Sequence, residues 1–237
     1  MAEARILNGH LTRDVNEAAA MLKEGKLIAI PTDSVYALAA SVDFPDSVDR
    51  IFRVKDRDPD KNISLLLPDI ETLVNAGPDF SDLLWTFLKQ SCPCPNGFVV
   101  PKGDWLEKVC PKTQDLIGNE DSICIRISNC SELSLLALKS GPLALSSANL
   151  SGKPDSTHHS MVQTAFGNKI DGILCIGDSL ESKSSSVVNC LHFDRDEISY
   201  FRIGCTPQEV IFRDYKNAKK VLATLHIINP SSRDRKP

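Results

Sequence analysis

The chain has 237 residues, 42% of them hydrophobic, which is enough to core one large domain or two small ones and excludes disorder as its main state. Its 27 basic and 31 acidic residues leave a net charge of −4, which argues against a protein that coats nucleic acid through bulk charge. No apolar run approaches the ~20 residues of a membrane span, and residues 1–26 lack the apolar stretch of a signal peptide, so a cytosolic protein without membrane contact is expected.

In chain order, Asp14-Val15-Asn16-Glu17 has the D-x-x-E form of a capping box, and Ala18, Ala19, Met21 and Leu22 supply an apolar helical face that Gly25 ends. Leu27–Ile30 is short, apolar and bounded by Pro31, as in a strand covered on both faces. A helix is predicted over 46–55, capped by Asp46, with Val48, Ile51 and Phe52 at core spacing. There follow a strand at 63–67, helices near 70–75 and 81–89, strands at 98–101 and 121–127, a leucine-rich helix at 132–138 and a strand at 142–147. Strand patterns then crowd together at 172–176, 186–190 and 198–203, and Asn217–Leu222 reads as an appended helix. This order predicts an α/β fold, a twisted mixed sheet flanked by helices, in one domain.

Only 6% of residues are aromatic, so Leu, Ile, Val and Ala must carry the core. Most of the eight cysteines are expected as reduced thiols, with Cys124, Cys175 and Cys190 in strand-like runs acting as small hydrophobes. The pair Cys92–Pro93–Cys94 is C-x-C with no matching Cys/His pair, so no zinc is expected, and His158–His159 is read as part of an exposed loop. From Gly204 onward seven basic residues face three acidic ones, a local charge of +4 on a body of −8. Such a tail could touch RNA, although a solvated end is the simpler reading.

The Walker, dinucleotide-binding, nucleophile-elbow and zincin motifs are absent. Three polar segments remain. Pro31-Thr32-Asp33-Ser34-Val35-Tyr36 follows a buried strand, where α/β sheets bind ligands, although Pro, Asp and Ser are also turn residues. Lys55-Asp56-Arg57-Asp58-Pro59-Asp60-Lys61 offers three cations to phosphates, formally cancelled by three aspartates. Ser146-Ser147-Ala148-Asn149-Leu150-Ser151-Gly152 supplies neutral donors at a strand end, as a phosphate cradle or a helix cap would.

PTDSVYALA, then I-F-R-V-K-D-R, then G-P-L-A-L-S-S-A-N-L-S-G, in this order, resemble the YrdC-type threonylcarbamoyl-AMP synthase family over about residues 12–204. Residues 1–11 are then an N-terminal extension and 205–237 a C-terminal helix with a basic tail. The resemblance implies a concave, locally positive groove in which L-threonine, bicarbonate or CO2, and ATP become threonylcarbamoyl-adenylate and pyrophosphate. It implies Mg2+ with the ATP, and a downstream complex that transfers the product to tRNA, so that tRNA is an indirect or weak partner. By the motif, Lys55 and Arg57 would neutralise phosphate and carboxylate, and Ser147 and Asn149 would orient the nucleotide phosphates. Thr32 and Tyr36 would line the threonine pocket, Lys61 would reach a phosphate, and Arg126, Ser185 and Arg202 would complete the site. The pattern departs at Ala37, where the family carries glycine, at Cys92–Gly97, at Asn62–Ile63, at Ser128, where it carries proline, and at Asn189, where it carries an acidic residue. The alternative is an RNA-binding or nucleotide-binding homologue with weakened or no catalysis.

Overall fold

A computed structural model describes residues 3–58 and 61–228. Its elements are β1 (Arg5–Asn8), α1 (Thr12–Lys23), β2 (Ile28–Ile30), β3 (Ala37–Ser41), α2 (Pro45–Lys55), β4 (Ser64–Leu66), α3 (Ile70–Ala76), α4 (Asp82–Ser91) and β5 (Asn96–Pro101). After these come β6 (Ser122–Arg126), α5 (Ser131–Ser140), β7 (Leu143–Ser147), α6 (His159–Phe166), β8 (Gly172–Cys175), β9 (Ser186–Asn189), β10 (Ser199–Arg202) and α7 (Gln208–Ile228). The strands form one mixed sheet in the order β1-β8-β2-β3-β7-β4-β6-β5-β9-β10. Among the described residues no helix is long and apolar enough to cross a membrane.

Alternation along the strands sorts side chains between two layers. Ile28 and Ile30 of β2, Ala37 and Ala39 of β3, Leu66 of β4 and Leu143 and Leu145 of β7 point to the face covered by α1 and α5. Ala29, Leu38, Ala40, Leu65 and Ala144 point the other way, into a larger core shared with α2, α4, α6 and α7. Helices α1 and α5 cover their face only over the first half of the sheet. Beyond β7 the same face carries Ser64, Cys124 and Val99, in register across β4, β6 and β5, and among the described residues these line a cavity instead of packing under a helix. That bare half becomes the floor of a cavity.

Several elements differ from the sequence reading. Residues 5–8, expected in an extension, are the edge strand β1, paired in parallel with β8, because alternation buries Leu7 against α1. Asp14 is no N-cap: α1 starts two residues earlier, and the Asp14 carboxylate accepts the Asn8 amide at 2.8 Å, which holds its pKa below the ordinary value. Nor does Asp46 cap α2, which opens on Pro45, a residue suited to a first turn because its missing N–H is not needed there. Ser81 and Asp69 do cap α4 and α3, accepting the amides of Leu84 and Thr72 at 3.3 and 2.7 Å. His158 and His159 open α6 rather than lie in a loop; the His158 ring caps it by accepting the Ser160 amide. The appended helix is 21 residues long and docked: Ile211, Tyr215 and Ala218 are buried, and the Tyr215 ring lies 5.1 Å from Phe193 and 6.4 Å from Phe87 of α4. The last nine residues, which hold the basic end, lie outside the described residues.

Candidate active site

A cavity of about 410 Å³ opens on the bare half of the sheet. Its floor is made concave by small side chains at successive register positions. Ala37 pairs with Ser147, Ser64 with Cys124, and Gly97 with Arg126 and Val187. Gly97 is required here: a Cβ would stand 2.7 Å from the Cys124 sulfur. Gly204 is required as well, since a Cβ would overlap the Ser184 and Ser185 carbonyls that shape the far wall. Ala37 sits in ordinary extended strand, so alanine at this position brings no backbone strain.

Three arginines from separate elements reach the cavity. Arg57 follows α2 after a left-handed Asp56, and its guanidinium donates to the carbonyls of Lys61 at 2.9 Å and Asn62 at 2.8 Å. Burial pulls its pKa down, and the positive charge of Arg202 adds to the shift. An arginine stays cationic despite such a shift, so two like charges face one cavity. Arg202, on β10, donates to the Ser185 carbonyl at 2.9 Å and weakly to the Ser185 hydroxyl at 3.4 Å. Arg126, on β6, is buried; its Nη2 donates to Asp33 at 2.5 Å, while its Nε–H is buried without a partner. Around these cations stand Ser64, Ser122, Ser147, Ser184 and Ser185, with Ser34 and Ser146 also in the lining, and no carboxylate belongs to the described wall.

Of the residues singled out in the sequence, Arg57, Arg126, Arg202, Ser147, Ser185 and Tyr36 meet in this cavity. Tyr36 is held rigidly: its hydroxyl donates to the Gly177 carbonyl at 2.7 Å and accepts the Ile176 amide at 3.2 Å, and burial pushes its pKa up to about 12. Thr32, Lys55, Lys61 and Asn149 are not part of its lining. Thr32 is spent on its own turn, donating to the Val35 carbonyl at 2.7 Å and accepting the Ser34 amide at 3.0 Å. Lys55 is buried and donates to the backbone carbonyls of Ser147 and, at 2.7 Å, Asn149. Burial, reinforced by Arg57, lowers its pKa to about 7. It thus ties the end of α2 to the turn after β7. The Asn149 amide donates to the Lys153 carbonyl at 2.6 Å, leaving its Oδ1 buried without a partner. Lys61 is exposed and contributes its carbonyl to Arg57.

Sequence reasoning missed Ser64, Ser122, Cys124 and Asn119 in the wall, as well as the roles of Asp33 and Ser128 behind Arg126. A signal was present for two of them: Ser122 and Cys124 alternate with Arg126 along one strand, so a polar row had to share one face.

A mixed α/β sheet whose bare face gathers Arg57, Arg202 and several serines, with no carboxylate in the described wall, has the chemistry of a pocket for a small, multiply anionic ligand. The family model described as Telomere recombination, for Sua5, YciO and YrdC proteins, matches residues 20–204. The chain belongs to the Sua5/YciO/YrdC family. It is 31% identical over 173 residues to the threonylcarbamoyl-AMP synthase of Pyrococcus abyssi, covering 73% of this chain and 49% of the relative. To the threonylcarbamoyl-AMP synthase of Chromohalobacter salexigens it is 31% identical over 164 residues, covering 68% of this chain and 85% of the relative. The chain therefore spans about half the length of the first relative and most of the second. Among solved structures, P. abyssi Sua5 complexed with L-threonine superposes with a TM-score of 0.78 at 27% identity, covering 90% of this chain and 61% of that one. Escherichia coli YciO, with a TM-score of 0.69 at 19% identity over 86% of this chain and 96% of that one, shares the fold.

Proposed function

We propose that the chain is a threonylcarbamoyl-AMP synthase, joining L-threonine, CO2 from bicarbonate, and ATP. The observation that carries this reading is the pair Arg57 and Arg202, two cations aimed into one cavity whose described wall offers no carboxylate to neutralise them. A triphosphate would supply the missing negative charge. The two relatives named above carry this activity in their names, and P. abyssi Sua5 was solved with L-threonine.

The threonine amine attacks CO2, a C–N bond forms as one C–O π bond opens, and the amine gives a proton to water to leave a carbamate. A carbamate oxygen then attacks the α-phosphorus of ATP, and the bond to the bridging oxygen breaks as pyrophosphate leaves. Both partners are anions, so their approach is unfavourable until fixed cations and donors offset the repulsion. Arg57 and Arg202 would take the phosphates, the Arg126 Nε–H the carboxylate of the amino acid, and the Ser147 hydroxyl a nucleotide oxygen. Positioning and charge stabilisation then account for catalysis without a covalent enzyme intermediate. Magnesium would enter as part of the Mg·ATP substrate, held by phosphates and water, because the described wall offers no carboxylate to hold it alone. The product would be consumed by a complex that modifies tRNA in the cytosol.

The test is pyrophosphate release from ATP by the purified chain. Release that requires both threonine and bicarbonate, and that falls in Arg57→Ala and Arg202→Ala, supports the proposal. ATP binding without any release would favour a nucleotide-binding homologue instead.

A further inference from the structure

Arg126 and Asp33 form a buried ion pair, their side chains 9% and 1% exposed. Left to themselves, a carboxylate and a guanidinium pair fork to fork through two parallel hydrogen bonds. Here they do not. Asp33 Oδ1 accepts from Arg126 Nη2, while Oδ2 accepts from the Ser128 hydroxyl at 2.7 Å and the Asn129 amide at 3.2 Å. The Ser128 hydroxyl cannot turn away, because its oxygen also accepts the Cys130 amide at 3.1 Å. With Oδ2 committed, Asp33 holds one nitrogen of Arg126, a residue of the cavity lining, and the Nε–H stays buried and unpartnered. An unpartnered donor of this kind is costly unless an acceptor arrives.

We infer that Ser128 is a positioning residue: by occupying the second oxygen of Asp33 it keeps the Arg126 Nε–H free for one oxygen of the substrate carboxylate. The inference rests on the reading of the cavity as an amino-acid and ATP site. Without the Ser128 hydroxyl, Oδ2 keeps only the longer bond from the Asn129 amide, and Asp33 turns to take Nε–H and Nη2 together, closing the donor to substrate. Threonine retains the hydroxyl and preserves the arrangement.

The experiment combines NMR of arginine Nε–H groups with calorimetric binding of L-threonine and ATP to wild type, Ser128→Ala and Ser128→Thr. Arg126→Lys assigns the signal. In Ser128→Ala the Arg126 Nε–H signal shifts, threonine affinity falls about tenfold, as loss of one charge-assisted hydrogen bond implies, and ATP affinity stays within twofold. Ser128→Thr restores all three readouts. An unmoved Arg126 signal in Ser128→Ala overturns the inference, as does equal loss of threonine and ATP binding with a lowered melting temperature, which would mark a purely structural serine. If the signal moves as described but wild type binds no threonine, the positioning device stands and the reading of the substrate fails.

Discussion

Replacing Lys55 with methionine isolates the energetic cost of a buried amine at the edge of the site. The side chain is 1% exposed, and burial lowers its pKa from 10.5 to about 7. Below pH 7 the folded and unfolded chains both carry the proton, so the cost of burying the charge is fully present. Between pH 7 and 10.5 the unfolded chain binds more protons than the folded one, and stability must rise with pH. At about 1.4 kcal/mol per pH step, the wild type gains roughly 3 kcal/mol from this group between pH 6.5 and 9.5. Methionine fills similar space but cannot titrate. It also leaves the Ser147 and Asn149 carbonyls without their donor, a penalty of about 1–3 kcal/mol each that does not depend on pH. Urea unfolding of both proteins at pH 6.5, 8 and 9.5 should therefore give a stability difference that shifts by roughly 3 kcal/mol in favour of wild type as pH rises. Parallel pH profiles would refute the reasoning, because they would mean that the amine keeps its proton throughout.

The like-charge pair gives a second expectation: Arg57→Ala should lower pyrophosphate release on the order of 100-fold or more, as loss of a charge-stabilising donor does, and steady-state kinetics will measure it. Gly97→Ala should cost about 1–3 kcal/mol by overpacking against the Cys124 sulfur, and adding Cys124→Ala should recover most of it; a double-mutant cycle by urea unfolding checks the coupling. Ala37→Gly should lose roughly 0.5–1 kcal/mol of stability, since the strand needs no glycine there, with activity changed only a few-fold.

Much of the fold was legible because its strands are short apolar runs between turn residues. The sequences of β2, β6 and β7 could be read directly, and the structure trims their predicted ends by one or two residues. The strand β3 was missed because A-L-A-A-S has no β-branched or aromatic residue; its extended form comes from pairing with β2 on one side and β7 on the other. The same limit governs the site. Arg57, Arg126 and Arg202 could be marked from motifs, but the direction in which Lys55 points is set by a turn 92 residues later, and the partner of Arg126 lies 93 residues earlier. A single sequence shows which cations exist. It does not show which of them the backbone has already claimed.

The central claim is that this cavity brings threonine, CO2 and ATP together. Its most direct test is pyrophosphate release by the purified chain with Mg·ATP, omitting threonine or bicarbonate in turn. Release should occur only with all three present and be nearly lost in Arg57→Ala. Release that ignores threonine, or none at all while ATP still binds, would contradict it.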